Sequence, residues 1–197
     1  PLSQSGLIAK TQKEFSERFE TKGCFFGVNG ASGLIQSAVI AMANPGESIL
    51  MPRNVHISVI KTCAMQNILP IFFDLEFSSI TGHYKPITKI WFENVFKKLN
   101  FNEKKVAGVI LVSPSYHGYA GDLEPLLNVC HQKNLPVLID EAHGSYFLFC
   151  ENHNLPKSAL LSNADLVVHS LHKSLNGLTQ TAALLSLIHI SEPTRQP

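Results

Sequence analysis

The sequence predicts an α/β protein whose mostly parallel sheet is covered by helices on both faces. Three observations lead there. Short apolar runs alternate with segments of helical pattern along the whole chain, the arrangement that joins parallel strands through right-handed crossover helices. Residues 106–112 (VAGVILV) are apolar throughout, as strands buried on both faces are. The third is size: 197 residues with 45% hydrophobic content can bury a substantial core without disulfides or metals.

Taken in order, residues 15–20 end a polar helix and residues 24–28 (CFFGV) form a short strand. Residues 29–33 (NGASG) make a tight small-residue turn into a buried helix at 34–43, which Asn44-Pro45-Gly46 closes. Strand 48–51, helix 57–66 and strand 68–73 follow, and then a surface loop at 76–84. The helix at 90–99 turns Trp91, Phe92 and Phe96 inward, since helical spacing accounts for all three. Strand 106–112, helix 123–133, strand 136–139 and a final strand at 165–169 complete the pattern.

Composition narrows the function classes. Sixteen basic residues balance fifteen acidic ones for a net charge of +1, so the chain has no electrostatic footprint for nucleic acid or an anionic membrane. No apolar run reaches the ~18 residues of a membrane span. The four cysteines (Cys24, Cys63, Cys130, Cys150) are scattered, and reduced thiols are expected rather than a disulfide framework or a zinc site. Nine histidines occur without metal-binding spacing, and no metal is expected.

In open parallel sheets, ligands bind beyond the carboxyl ends of the strands. Those positions are residues 29–33, 53–56, 113–117, 140–143 and 170–173, a set rich in hydroxyls and histidines with one aspartate and one lysine. The 29–33 turn reads either as a cradle for an anion at a helix N-terminus or as an ordinary strand-to-helix connection. It matches neither GxxxxGK[ST] nor GxGxxG. Asp140 ends a buried strand and needs a hydrogen-bonding or cationic partner, and a helix cap or structural ion pair would also satisfy it. Lys173 reads as a nucleophilic amine or as a solvated surface charge. Together, a phosphate cradle, a carboxylate and a lysine on three strand tips meet the three needs of pyridoxal phosphate: an anion anchor, an acid partner for the ring nitrogen and a Schiff-base amine. Residues 113–117 (SPSYH) face the same crevice or simply turn at Pro114. Glu141 reads as structural, and Arg53 as a surface ion pair or a site group.

NGASG, PRNVH, DEAHG and SLHKSLNGLTQT, in that order, resemble the ornithine/lysine/arginine decarboxylase family of fold-type I pyridoxal-phosphate enzymes. PRNVH with SLHKSLNGLTQT is the discriminating part, because DEAH and HK recur in other fold-type I enzymes. The resemblance runs from about residue 6 to 184. It implies a three-layer αβα large domain, pyridoxal 5'-phosphate as cofactor, and conversion of a basic amino acid (arginine, lysine or ornithine) to an amine and carbon dioxide. Carried across, it makes Lys173 the Schiff-base lysine, Asp140 the partner of the pyridine nitrogen and His56 the residue stacked on the ring. Ala31, Ser32, Ser170 and His172 hold the phosphate, and Ala142 and His143 lie beside the ring. Family members often carry threonine where this chain has Ala31, so the anchor loses one hydroxyl and keeps its backbone N–H groups. A cytoplasmic enzyme of polyamine biosynthesis, acting as a homodimer or higher homo-oligomer when full length, is also implied.

Residues 185–195 (LSLIHISEPTR) resemble the in-frame translation of a common sequencing adapter. The expected organisation is therefore a large domain at 1–184, incomplete at both ends, with 185–197 not native. Two other readings stay open: another fold-type I enzyme of the α-oxoamine synthase or carbon–sulfur lyase type, and an inactive fragment.

Overall fold

The computed structural model describes residues 6–99, 105–150 and 155–188. In chain order the elements are α1 (Leu7–Arg18), β1 (Gly23–Gly27), α2 (Gly30–Met42), β2 (Ser48–Pro52), α3 (Ile57–Gln66), β3 (Leu69–Phe73), β4 (Phe77–Ser78), β5 (His83–Tyr84), α4 (Lys89–Lys98), β6 (Val106–Val112), α5 (Glu124–His131), β7 (Val137–Asp140), β8 (Leu166–His169), α6 (Leu171–Ser174) and β9 (Ala182–Ser186). Seven strands form one sheet in the order β1-β9-β8-β7-β6-β2-β3. Neighbours from β3 through β2, β6 and β7 to β8 run parallel. Strand β9 is antiparallel to both β8 and β1. The expected mostly parallel α/β architecture is what the chain adopts.

Strand side chains alternate between two cores, because successive residues of a strand point to opposite faces. Leu50, Val109, Leu111, Val137, Ile139 and Val167 join one cluster with Phe92 and Phe96 of α4 and Leu126, Leu127 and Cys130 of α5. Ile49, Met51, Ile110, Leu138, Leu166 and Val168 join the other, with Ile35, Ala38 and Val39 of α2 and Val59 and Cys63 of α3. Helices α2 and α3 thus cover one face of the sheet. Helices α4 and α5 cover the opposite face, where Phe19 at the end of α1 joins the same cluster. Three layers result.

Three local expectations are corrected. Strand 165–169 is not the last: residues 182–186 insert between β1 and β8, so Leu185 and Ser186, assigned to the segment resembling an adapter, are strand residues here. Residues 189–197 of that segment lie outside the described residues. The loop at 76–84 contains a two-stranded hairpin, β4 with β5, closed by Phe77 against Tyr84 at 5.6 Å between ring centroids. Trp91 sits at the margin rather than in the core. Its indole Nε1–H donates to the Asp74 carbonyl at 2.8 Å, while Phe92 and Phe96 are buried.

Candidate active site

The parallel strands end on one side of the sheet, and the predicted residues gather at those ends. Asp140 is the last residue of β7, a run of buried apolar residues that carries its carboxylate to the sheet rim with 7% exposure. Its Oδ1 accepts the Ala142 N–H at 3.1 Å. Burial pushes the Asp140 carboxyl above its ordinary value, and the Ala142 N–H and the charges of His56, Lys173 and His143 pull it back. The partner that a buried strand-tip carboxylate requires is therefore a set of three cationic or ionisable side chains.

Lys173 lies in the single turn of α6, which follows β8 directly. Its Nζ is 3.1 Å from Nε2 of His143. Burial lowers the His143 pKa and the Lys173 charge lowers it further, against the opposing pull of Asp140. A neutral His143 ring accepts this bond, with the lysine donating. The DEAHG segment thus delivers a carboxylate (Asp140) and an imidazole (His143) three residues apart to the same amine.

His56 caps α3. Its Nδ1 accepts the Ser58 N–H at 3.2 Å and lies 2.8 Å from Ser58 Oγ, which leaves the ring proton on Nε2. Fixing Nδ1 in this way sets the plane of the ring, and His56 is close enough to Asp140 to act on it electrostatically. The PRNVH sequence explains the placement: Pro52 ends β2, and His56 supplies the acceptor that the helix's first turn lacks.

Helix α2 begins at Gly30, whose φ of 67° lies in the left-handed region that glycine adopts most readily. Ala31 and Ser32 occupy its first turn, where N–H groups have no intrahelical acceptor and favour an anion. A Cβ on Gly30 would meet nothing within 4 Å, so the approach to this turn is open. The Gly30 N–H donates to the Gln180 carbonyl at 2.8 Å. The next carbonyl, Thr181, accepts from the Leu171 N–H at 3.0 Å and lies 3.2 Å from His172 Nδ1. Ser170, fully buried, is 3.3 Å from that same Nδ1. One short loop, 177–181, therefore ties the α2 terminus to the turn that carries Ser170, His172 and Lys173. LTQT lies inside the discriminating motif, but nothing in the sequence assigns its backbone carbonyls to this role.

The loop at 113–117 does face the crevice. The Tyr116 ring stands edge-on to His143 at 5.9 Å, and His117 stacks on His83 of β5 at 4.1 Å. His83 was part of the expected loop and is a neighbour the sequence did not point to. Arg53 pairs with Asp74 at 2.7 Å on the surface, and Glu141 is structural in contact, bonded to His169, Ser158 and Ala159.

Residues 2–195 match the Orn/Lys/Arg decarboxylase major domain family. The chain belongs to this family. An arginine decarboxylase of Halalkalibacterium halodurans is 35% identical over 179 residues, covering 91% of this chain and 35% of that protein. The chain thus spans about a third of such relatives. Among solved structures, the constitutive lysine decarboxylase of E. coli superposes with a TM-score of 0.80 at 17% identity, over 96% of this chain and 27% of that one. A pyridoxal-5'-phosphate-dependent protein of Escherichia coli gives 0.68 at 13% identity, over 91% and 44%. The fold is that of fold-type I pyridoxal-phosphate enzymes.

The residues present fit that cofactor. A first helical turn with open access offers N–H donors to a phosphate. Asp140, desolvated and bonded to a single N–H, offers a carboxylate to a protonated ring nitrogen, and Lys173 offers a primary amine. A ring N–H⁺ beside Asp140 would offset the burial that raises its pKa.

Proposed function

We propose that this chain carries the cofactor-binding part of a pyridoxal-phosphate-dependent decarboxylase that converts a basic amino acid to its amine and carbon dioxide. The observation that carries the reading is the convergence of Lys173, Asp140, His143 and His56 beyond the carboxyl ends of β2, β7 and β8, where Lys173 Nζ lies 3.1 Å from His143 Nε2 and all three basic groups act on Asp140. Arginine is the first substrate to test, since relatives named arginine decarboxylases are 35% identical, with lysine and ornithine beside it. Formation of an amine at this step suits a cytoplasmic enzyme that feeds polyamine synthesis. A homo-oligomer is the proposed assembly.

Bound pyridoxal phosphate would supply an electron sink for the pair left on Cα when carbon dioxide departs. The chain's residues do the rest. Ser32, Ser170, His172 and the N–H groups at Ala31 and Ser32 hold the phosphate. Asp140 keeps the ring nitrogen protonated, and Ala142, whose N–H bonds that carboxylate, fixes its rotamer. His56, whose plane Ser58 sets, would pack against the ring. His143, kept neutral, accepts a hydrogen bond from Lys173 Nζ and aims it. Lys173 Nζ would be the amine that tethers the cofactor, and Lys173 Nζ or His56 Nε2 would be the group that delivers a proton to Cα.

The test is borohydride trapping with pyridoxal phosphate, followed by digestion and mass spectrometry. Stoichiometric label on Lys173, lost in Lys173→Ala, is the expected result. Product analysis with the three amino acids then reads amine and carbon dioxide. Label scattered over surface lysines in the folded protein would defeat the cofactor assignment.

A further inference from the structure

On the opposite side of the strand ends from Asp140 lies a buried ionisable pair that the reaction does not use. Glu141 and His169 are both fully buried, and Glu141 Oε2 lies 2.7 Å from His169 Nε2. The carboxylate accepts, so the imidazole donates from Nε2. The other bonds of Glu141 anchor it: Ser158 Oγ donates to Oε2 at 3.0 Å and the Ala159 N–H donates to Oε1 at 2.8 Å. Among the described residues His169 Nδ1 has no partner, so the bond to Glu141 is the ring's side-chain hydrogen bond, and the Phe19 ring packs edge-on to it with centroids 5.8 Å apart.

The location of the pair gives it meaning. Glu141 is joined by one peptide bond to Asp140. His169 is the last residue of β8 and immediately precedes the turn that carries Ser170, His172 and Lys173. Strands β7 and β8 are in register with Asp140 opposite Val168, and the Glu141 N–H donates to the Val168 carbonyl at 3.1 Å. The sheet ladder ends there. Beyond it, the buried Glu141–His169 bond joins the two strand tips on one face, and the Lys173–His143 bond joins the segments that follow them on the other. A buried pair of this kind is a poor source of net stability, because desolvation offsets the attraction. In some proteins such a pair is retained because it specifies one arrangement over others.

We infer that Glu141 and His169 are positioning residues that set the distance between the Asp140 carboxylate and the Lys173 amine, and with it the protonation and retention of the bound cofactor. The inference rests on the proposed cofactor reading. It requires substitution of either partner to act on the far side of the sheet by shifting Asp140 relative to Lys173, with every cofactor-contacting residue itself unsubstituted.

The test compares four variants of the cofactor-loaded protein with the wild type. Its readouts are the pyridoxal-phosphate dissociation constant and the pH midpoint of the visible absorbance of the lysine-bound cofactor. Glu141→Gln and His169→Leu are expected to weaken retention by roughly 10–100-fold, the range in which orienting partners act, and to move the midpoint. His169→Gln, which keeps an N–H donor, is expected to restore both. Ser158→Ala removes a donor from the same carboxylate without touching the Lys173 strand; it is expected to lower Tm and leave both readouts unchanged. If Glu141→Gln does not fold, His169→Leu against His169→Gln decides. If neither Glu141→Gln nor His169→Leu folds, the pair is a folding requirement and the inference fails. Folded variants that keep both readouts within about twofold of wild type also overturn it. A wild type that forms no Lys173 adduct overturns the cofactor reading and the inference with it, whereas an adduct insensitive to these substitutions overturns the inference alone.

Discussion

Asp140 pays for its role in a measurable way. Burial raises its carboxyl pKa despite the Ala142 N–H and the neighbouring His56, Lys173 and His143. A carboxyl with a raised folded-state pKa binds its proton more tightly folded than unfolded. Its contribution to stability is therefore complete below the ordinary carboxylate value and is lost as pH rises through the raised one. At neutral pH, well above the ordinary carboxylate value, burying Asp140 is therefore unfavourable in the cofactor-free protein. Asp140→Asn removes the titration, so the cofactor-free variant is expected to melt above wild type at pH 7, with the gap closing as pH falls towards about 4. Thermal scans across that range check this, and a gap independent of pH would show that Asp140 is not the group responsible. In the cofactor-loaded protein the order should reverse, because an amide cannot hold the ring nitrogen protonated.

Elements differ in how plainly the sequence announces them, and the reasons are physical. Strand β6 is apolar throughout, β7 and β8 are apolar and buried up to their last residues, Asp140 and His169, and α2 is a largely apolar run closed by Asn44-Pro45-Gly46. Strand β9 is obscure because Ala182 and Ala183 lack the branched or aromatic side chains that mark strands; its existence follows from the gap between β1 and β8 that it fills. The β4–β5 hairpin has two residues per strand, too few for any alternation to register. In the site, Lys173, Asp140 and His56 are legible as residue types at strand tips. The 177–181 loop works through backbone carbonyls, which have no sequence signal. Gly177 tests that loop. A Cβ there would lie 2.5 Å from Thr181 Oγ1 and 3.0 Å from the Leu171 backbone carbon. The hydroxyl can rotate away, but the backbone cannot. Gly177→Ala is expected to cost about 1–3 kcal/mol, lowering Tm by roughly 2–4 °C per kcal/mol in a chain of this size, and to weaken pyridoxal-phosphate retention because the loop carries the Gly30 and His172 contacts. Tm loss with unchanged retention would separate the loop from the anion site.

At the scale of the molecule, the antiparallel strand joins two parts of the sheet that have no direct pairing. Among the described residues, strand β1, which leads into the α2 anion turn, meets the rest of the sheet only through β9. The pairing runs Cys24 to Leu185 to Val167 across three strands, and the Lys22 N–H and the Leu187 N–H add bonds to the Ser186 and Asp165 carbonyls at 2.8 and 3.0 Å. Leu185 is fully buried in the cluster shared with Val167 and Ala183. Whatever the origin of residues 185 and 186, this side chain closes the sheet between the half that would hold phosphate and the half that bears Asp140 and Lys173. Leu185→Ala deletes buried methyl groups with little room for collapse beside 0%-exposed neighbours, and should cost about 2–5 kcal/mol. At roughly 2–4 °C per kcal/mol, the expected drop in Tm runs from a few degrees to about 20 °C. Hydrogen exchange should show β1 and β9 losing protection together, ahead of β6 and β7, because among the described residues β1 pairs with β9 alone. Uniform loss across the sheet would instead mean that the two halves unfold as one unit and that β9 is not the joint between them.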